Sequence, residues 1–237
     1  MLKIIFKILA LSALMFISLL VLLCCAFYFT YDEEIPFGKQ SLAADKLACK
    51  MLDTLDYEAY KQTNFLSWNF RGKHYYEWFK NQNRCTVRWD HFTVRLDLKQ
   101  KYNSTVTIRG QNYFGEEKEH LINKALAYFN NDSFWLVAPY KVFDIGAERR
   151  LIKQKDEADA LLVTYTSGGN TPGDSYLWYL DEQGMPTSFK MWVQIFPVRG
   201  ILASWEQWVT TESGIKLPRF HKILFFDITI SSIDAKK

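Results

Sequence analysis

Twenty-two consecutive residues, Ile8 to Phe29, carry no charge and no Pro or Gly. In helical form such a run is about 33 Å long, enough to cross the hydrocarbon core of a bilayer. Lys3 and Lys7 precede it, and Asp32, Glu33 and Glu34 follow it. Basic flanks stay on the cytoplasmic side, so the charge asymmetry predicts a cytoplasmic N-terminus and an exported remainder. A cleaved signal peptide is the competing reading, but its apolar core is shorter and ends in a small-x-small site. Leu, Phe and Tyr crowd the junction around Cys24-Cys25-Ala26. A lipidated cysteine needs a small residue before it, whereas Leu23 precedes Cys24 and Cys24 precedes Cys25. The expectation is a single-pass signal anchor in the inner (plasma) membrane, held through residues 8–29. The C-terminal domain then lies on the periplasmic or extracellular side.

Beyond the anchor the chain holds 27 basic and 26 acidic residues, close to neutral. Sequence-independent nucleic-acid binding needs a basic surface, so that class is excluded. Residues 1–30 read as the anchor, 31–40 as a linker with Pro36 and Gly38, and 41–232 as one exported domain. Ser41 can cap a helix whose face is Ala44, Leu47, Ala48, Met51, Leu52 and Leu55. The period then falls to two. Leu66, Trp68 and Phe70, then Tyr76 and Trp78, then Cys85, Val87 and Trp89, then Phe92 to Leu98 alternate with polar residues, as successive antiparallel strands do. A second helix has Leu121, Ile122, Ala125, Leu126 and Phe129 on its face, and Asn130-Asn131-Asp132 is expected to end it. Strands resume at Leu151, Leu161, Tyr176, Phe189 to Phe196, Ile201 to Val209 and Ile223 to Ile230. Gly168 to Asp174 reads as a hairpin loop. The class is therefore α+β with a meandering antiparallel sheet. Several late strands are apolar on both faces, which requires two covers.

Chemistry is sparsely written. His74, His91, His120 and His221 show no i,i+4 spacing, and no zincin motif occurs. There is no Gly-x-Ser-x-Gly elbow, no Gly-x-Gly-x-x-Gly and no Walker loop. No catalytic residue, metal site or cofactor is expected from this sequence. Cys49 and Cys85 either pair in an oxidising compartment, or Cys49 is a small buried residue on its helix. Aromatics are the distinctive inventory. They reach 16% and include eight Trp, all after residue 30, which is more than core packing of one domain requires.

The stretches Leu66-Ser67-Trp68-Asn69-Phe70-Arg71-Gly72, Phe134-Trp135-Leu136 and Thr171 to Asp181 (Thr-Pro-Gly-Asp-Ser-Tyr-Leu-Trp-Tyr-Leu-Asp) carry a resemblance. Together with the order helix, meander, helix, meander over residues 43–230, they resemble the bacterial lipoprotein-carrier (LolA/LolB-like) superfamily. That resemblance implies an unclosed β-barrel, or curved antiparallel sheet, with two main helices over its mouth. It further implies an apolar interior that holds lipid or acyl chains. The membrane anchor and the poor lipidation site depart from the family.

If one strand phase faces the concavity, Leu66, Trp68, Phe70, Tyr76, Trp78, Val87 and Trp89 line it, joined by Tyr176 and Trp178. These nine residues are the expected wall for a lipid or acyl-chain ligand. The alternatives are a membrane-tethered interaction domain with a filled core, or an envelope hydrolase whose site one sequence does not reveal. N-terminal sequencing of the mature protein is expected to find a start near Met1; a start between residues 24 and 35 would show cleavage and remove the anchor.

Overall fold

Alternation along each strand gives the chain after α1 one face to bury, and the strands join edge to edge to bury it. The structure is a computed structural model that describes residues 2–154, 158–168 and 171–237. The strands are β1 Phe65–Phe70, β2 His74–Phe79, β3 Arg84–Trp89, β4 Phe92–Asp97, β5 Thr105–Ile108, β6 Gln111–Asn112, β7 Ala147–Ile152, β8 Ala160–Tyr165, β9 Ser175–Leu180, β10 Pro186–Trp192, β11 Ile201–Ser204, β12 Val209–Thr210, β13 Lys216–Leu217, β14 Phe220–Ile223 and β15 Phe226–Lys236. Thirteen of them, among the described residues, form one curved sheet in the order β6-β5-β4-β3-β2-β1-β15-β14-β11-β10-β9-β8-β7. It is not closed into a barrel, and β6 and β7 are its edges. The fold is α+β, as the periodicity predicts.

Four helices accompany the sheet: α1 Leu2–Tyr31, α2 Leu42–Leu55, α3 Tyr57–Gln62 and α4 Lys118–Val137. From Ile4 to Tyr31, α1 is long and apolar enough to cross a membrane, and none of it is buried against the domain over its most apolar stretch. Ser41 caps α2, its hydroxyl accepting from the Ala44 N–H at 3.3 Å. The face of α2 formed by Ala44, Ala48, Met51, Leu52 and Leu55 is buried. Asp56 then serves two helices. Its left-handed backbone (φ 60°) ends α2, and its carboxylate caps α3 by accepting from Ala59 N–H at 3.0 Å.

Four local expectations are corrected. Helix α4 does not stop at Asn130-Asn131-Asp132 but runs on to Val137. These residues favour caps and turns because their side chains compete for backbone bonds; here Asp132 is bound by β2 instead, and Trp135, Leu136 and Val137 are buried beyond it. Ile223 to Ile230 is not one strand. Leu224 adopts a left-handed φ of 50° and the chain folds back, with Ile223 paired to Phe226. No Gly, Asn or Pro marks that turn, so nothing in the pattern betrayed it. Ile201 to Val209 also breaks after Ser204, and β12 pairs with β13 in a separate two-stranded sheet. Cys49 and Cys85 are both free: Cys85 is buried on β3 and Cys49 is exposed on α2, which excludes their pairing and a buried Cys49 alike. Gly168 to Asp174 does join two paired strands, β8 and β9, although Gly169 and Asn170 lie outside the described residues.

The second cover required by two-faced strands is the chain between the anchor and the domain. On the back of the sheet, Ile152, Ala160, Leu162, Leu177 and Trp192 form a small buried cluster. Residues 32–39 bind along this face. The Trp192 indole N–H donates to the Glu33 carbonyl at 2.9 Å, and Lys190 Nζ pairs with the Glu33 carboxylate at 2.7 Å. Lys39 bridges to Leu151, which occupies part of the free edge of β7. Gly38 makes the approach possible, because a Cβ there would stand 2.5 Å from Ile152 Cδ1 and 3.0 Å from the Leu151 carbonyl oxygen. Gly38→Val is expected to lift this strap and to destabilise the domain by about 1–3 kcal/mol, the usual cost of overpacking. Chemical denaturation checks the loss, and faster proteolysis within residues 32–40 checks its location.

Candidate functional site: an aromatic wall under helix α4

Register brings the nine predicted wall residues onto one face. Leu66 lies opposite Trp78, Trp68 opposite Tyr76, and Tyr76 opposite Val87. On the other half of the sheet, Tyr176 pairs with Met191 and Trp178 with Phe189. All nine are buried. All nine belong to one contiguous core cluster, within which ring contacts mark two aromatic groups. In the first, Trp68 stacks on Tyr76 at 4.5 Å, and Phe129 of α4 sits over Trp78 at 5.2 Å. Trp89, with Phe92 and Tyr128, extends this group. In the second, Phe134 of α4 lies 4.4 Å from Tyr176, and Trp178 contacts Phe189 and Trp205 at 5.3 and 5.5 Å. Phe129 lies on the helix face read from the sequence, whereas the α4 contribution of Phe134 and Trp135 and the β-side contribution of Phe189 and Trp205 were not among the expected wall residues. Phe189 was legible from its alternation with Met191 and Val193; Phe134 and Trp135 were hidden by the expected helix end before them.

One polar cluster pins α4 to the wall. The Asp132 carboxylate is only 2% exposed. It accepts from Tyr76 O–H at 2.5 Å and from His74 Nδ1 at 2.7 Å on one oxygen, and from Asn131 Nδ2 at 2.9 Å on the other. A carboxylate oxygen accepts only, so His74 carries its proton on Nδ1 in this contact. The His74 ring stacks on Tyr128 at 4.0 Å. Burial, reinforced by the Asp132 charge, drives the Tyr76 hydroxyl far above the usual phenol range, so Tyr76 stays a neutral donor.

The second group contains a buried histidine. His221 Nδ1 donates to the Ser204 carbonyl at 2.8 Å, and its ring packs 4.7 Å from Trp205 and 5.2 Å from Trp135. Burial pushes its pKa down to about 4, against the opposing pull of the Ser204 and Trp135 backbone. With Nδ1 donating, His221 Nε2 is left as a buried acceptor without a hydrogen-bond partner among the described residues. The indole N–H groups of Trp68, Trp89, Trp178 and Trp205 are buried with no hydrogen-bond partner among the described residues. Trp192 and Trp208, by contrast, donate to the carbonyls of Glu33 and Pro186. An unpaired buried donor costs about 1–3 kcal/mol, so four on one wall are an unusual concentration. An open depression at the β5–β6 turn, lined by Ile108, Arg109, Gln111, Asn112 and Tyr113, shares no residue with this wall. Among the described residues no group of three His, Cys, Asp or Glu is placed to hold a metal ion.

No protein-family model matches the chain, and no curated protein matches it either. Among solved structures it is similar to a DUF1329 family protein from Desulfovibrio piger, at 11% identity and a TM-score of 0.42, covering 83% of this chain and 93% of that one.

Tyr76→Phe removes one of the donors to a buried carboxylate and is expected to cost about 1.5–3 kcal/mol, read by urea denaturation at neutral pH. His221 gives a pH signature. Its folded pKa lies below the unfolded value of 6.5, so the unfolded state binds the extra proton. Stability therefore falls as pH drops from 6.5 towards 4, by an amount on the order of 3 kcal/mol, and His221→Phe is expected to flatten that window relative to the wild type.

Proposed function

We propose that this protein is a membrane-anchored cell-envelope protein whose curved sheet receives the acyl chain of a lipid or of a lipidated partner. The chain would lie against Leu66, Trp68, Phe70, Tyr76, Trp78, Val87, Trp89, Tyr176 and Trp178, with α4 as the movable cover. The orientation that puts this domain on the periplasmic or extracellular side belongs to the same proposal. It follows from the basic flank before α1 and the acidic flank after it.

The observation that carries the reading is the set of four unpaired indole donors on a wall whose other polar groups are the Asp132 cluster and His221. Broad aromatic surfaces accept a flexible hydrocarbon without directional bonds, and a few polar groups then fix its orientation. Donors without acceptors suit a ligand that ends in an acceptor oxygen, such as an ester carbonyl or a carboxyl group. Helix α4 has a built-in weak point for opening. Asn130-Asn131-Asp132-Ser133 is a run of poor helix formers, held by the Asp132 contacts to His74 and Tyr76. Phe129, Phe134 and Trp135 fill the wall in the closed arrangement, so a ligand must displace them.

Those same ring contacts favour a second reading, a tethered interaction domain whose interior is packed core. Native mass spectrometry with lipid extraction, on full-length protein purified from its own membrane, separates the two. Bound acyl lipid is expected in the wild type. Trp178→Phe and Trp205→Phe keep a ring but delete the donor, and are expected to lower lipid retention; Trp192→Phe on the back face is expected to leave it unchanged. A lipid-free wild type, together with a Trp68→Ala loss of about 3–5 kcal/mol typical of aromatic truncation in cores, would leave the packed-core reading alone.

A further inference from the structure

The anchor helix and the sheet are locked together at one point. Asp32, the residue after α1, takes hydrogen bonds from the Arg199 guanidinium at 2.7 and 3.1 Å and from the Arg199 backbone N–H at 2.9 Å. The adjacent Glu33 N–H donates to the Arg199 carbonyl at 3.0 Å. These bonds from Arg199 hold the Asp32 carboxyl down at about 2, so the clasp is ionised at physiological pH. Gly200 completes the fit: its φ is +77°, and a Cβ there would stand 2.8 Å from the Cβ of Glu33. Arg199 lies in the loop 193–200 between β10 and β11. The loop is therefore held where the chain leaves α1.

The same end of the sheet carries apolar tips that nothing in the domain covers. Ile195, in the clasped loop, is 64% exposed. Ala203 of β11 pairs with Ile223 of β14, so the β14–β15 turn stands beside the start of β11, about one strand spacing away. In that turn Leu224 has a left-handed φ of 50°, and Phe225 and Phe226 are 80% and 63% exposed. Water-facing hairpin turns use Gly, Asn or Asp, which accept positive φ and solvation; Leu-Phe-Phe gains neither. One cation, Lys222, stands two residues before the turn, and two more lie further back along β15. Arg71 and Lys73 lie in the β1–β2 turn, which joins this hairpin through Arg71 N–H to the Thr229 carbonyl at 2.9 Å, and exposed Lys222 faces Asp227 across the ladder. On the last turns of α1, Tyr28, Phe29 and Tyr31 are exposed aromatics of the kind that settle at the headgroup level.

We propose that this end of the sheet docks onto the bilayer that α1 crosses, with Ile195 and Leu224-Phe225-Phe226 set into the interfacial layer. Arg71, Lys73 and Lys222 then meet lipid phosphates. The inference rests on the anchored reading proposed above. The occupant is the lipid surface because the clasp fixes its distance: a tether this short keeps the tips at high effective concentration over the membrane and over no other surface. Docking also makes the domain stand on its rim rather than swing from a loose linker.

The test uses the full-length chain in vesicles of phosphatidylethanolamine and phosphatidylglycerol. Cys24→Ala, Cys25→Ala and Cys49→Ala remove the exposed thiols, and single Phe225→Cys or Ile195→Cys variants carry a polarity-sensitive fluorophore. A Glu182→Cys variant, on the β9–β10 turn at the opposite end of the strands, reports the aqueous side. Blue-shifted emission and quenching by lipid-phase spin labels are expected at 225 and 195, and neither at 182. Aqueous emission at both tips, in protein that resists alkaline carbonate extraction, overturns the docking while the anchor stands. Quenching at 182 but not at the tips overturns it as well. Release of the chain by carbonate removes the anchor, and the docking with it.

Discussion

Strand β15 holds two separate meanders together. It is 11 residues long, and it hydrogen-bonds to β1 on one side and to β14 on the other. β1 to β6 precede α4 and β7 to β11 follow it, and neither block pairs with the other except through this C-terminal strand. Without it each block would end in an additional unpaired edge, the arrangement most prone to association. The pairing of Phe65 with Lys236 closes nearly the whole chain that follows α3. Such a contact is entropically expensive and forms late, so the concave wall is completed only when the last residues are in place.

The wall and its cover depend on each other in the same way. α4 crosses both meanders, with Phe129 over Trp78 and Phe134 over Tyr176. Its middle is poorly suited to a helix, and Asp132 turns that defect into a tie by satisfying both Tyr76 and His74. Tertiary packing therefore supplies helix stability that intrinsic propensity lacks.

On the back of the sheet, the segment that follows α1 is part of the folded domain. The strap of residues 32–39 hides Ile152 and Trp192, neutralises Lys190 and Arg199 with Glu33 and Asp32, and bridges part of the β7 edge. One short segment thus covers apolar surface, blunts an edge and fixes where the anchor leaves the domain.

The uncharged run from Ile8 to Phe29 needed only local chemistry to be read, as did Ser41 with its capped helix and the alternation that places Leu66, Trp68, Phe70, Tyr76, Trp78, Val87 and Trp89 in one phase. Periods of 3.6 and 2 are written residue by residue, so these features were legible. The turn at Leu224-Phe225, the continuation of α4 through Asn130-Asn131-Asp132, the strap role of residues 32–39 and the partnership of Asp132 with Tyr76 and His74 were not. Each runs against local preference and is held by residues distant in sequence: Asp132 by β2, Glu33 by Trp192 and Lys190, Asp32 by Arg199. Periodicity decides which face a side chain takes. Only the folded chain decides what that face meets, because burial and ion pairing between residues 56 to 167 positions apart outweigh the few tenths of a kcal/mol, roughly, by which local propensities differ.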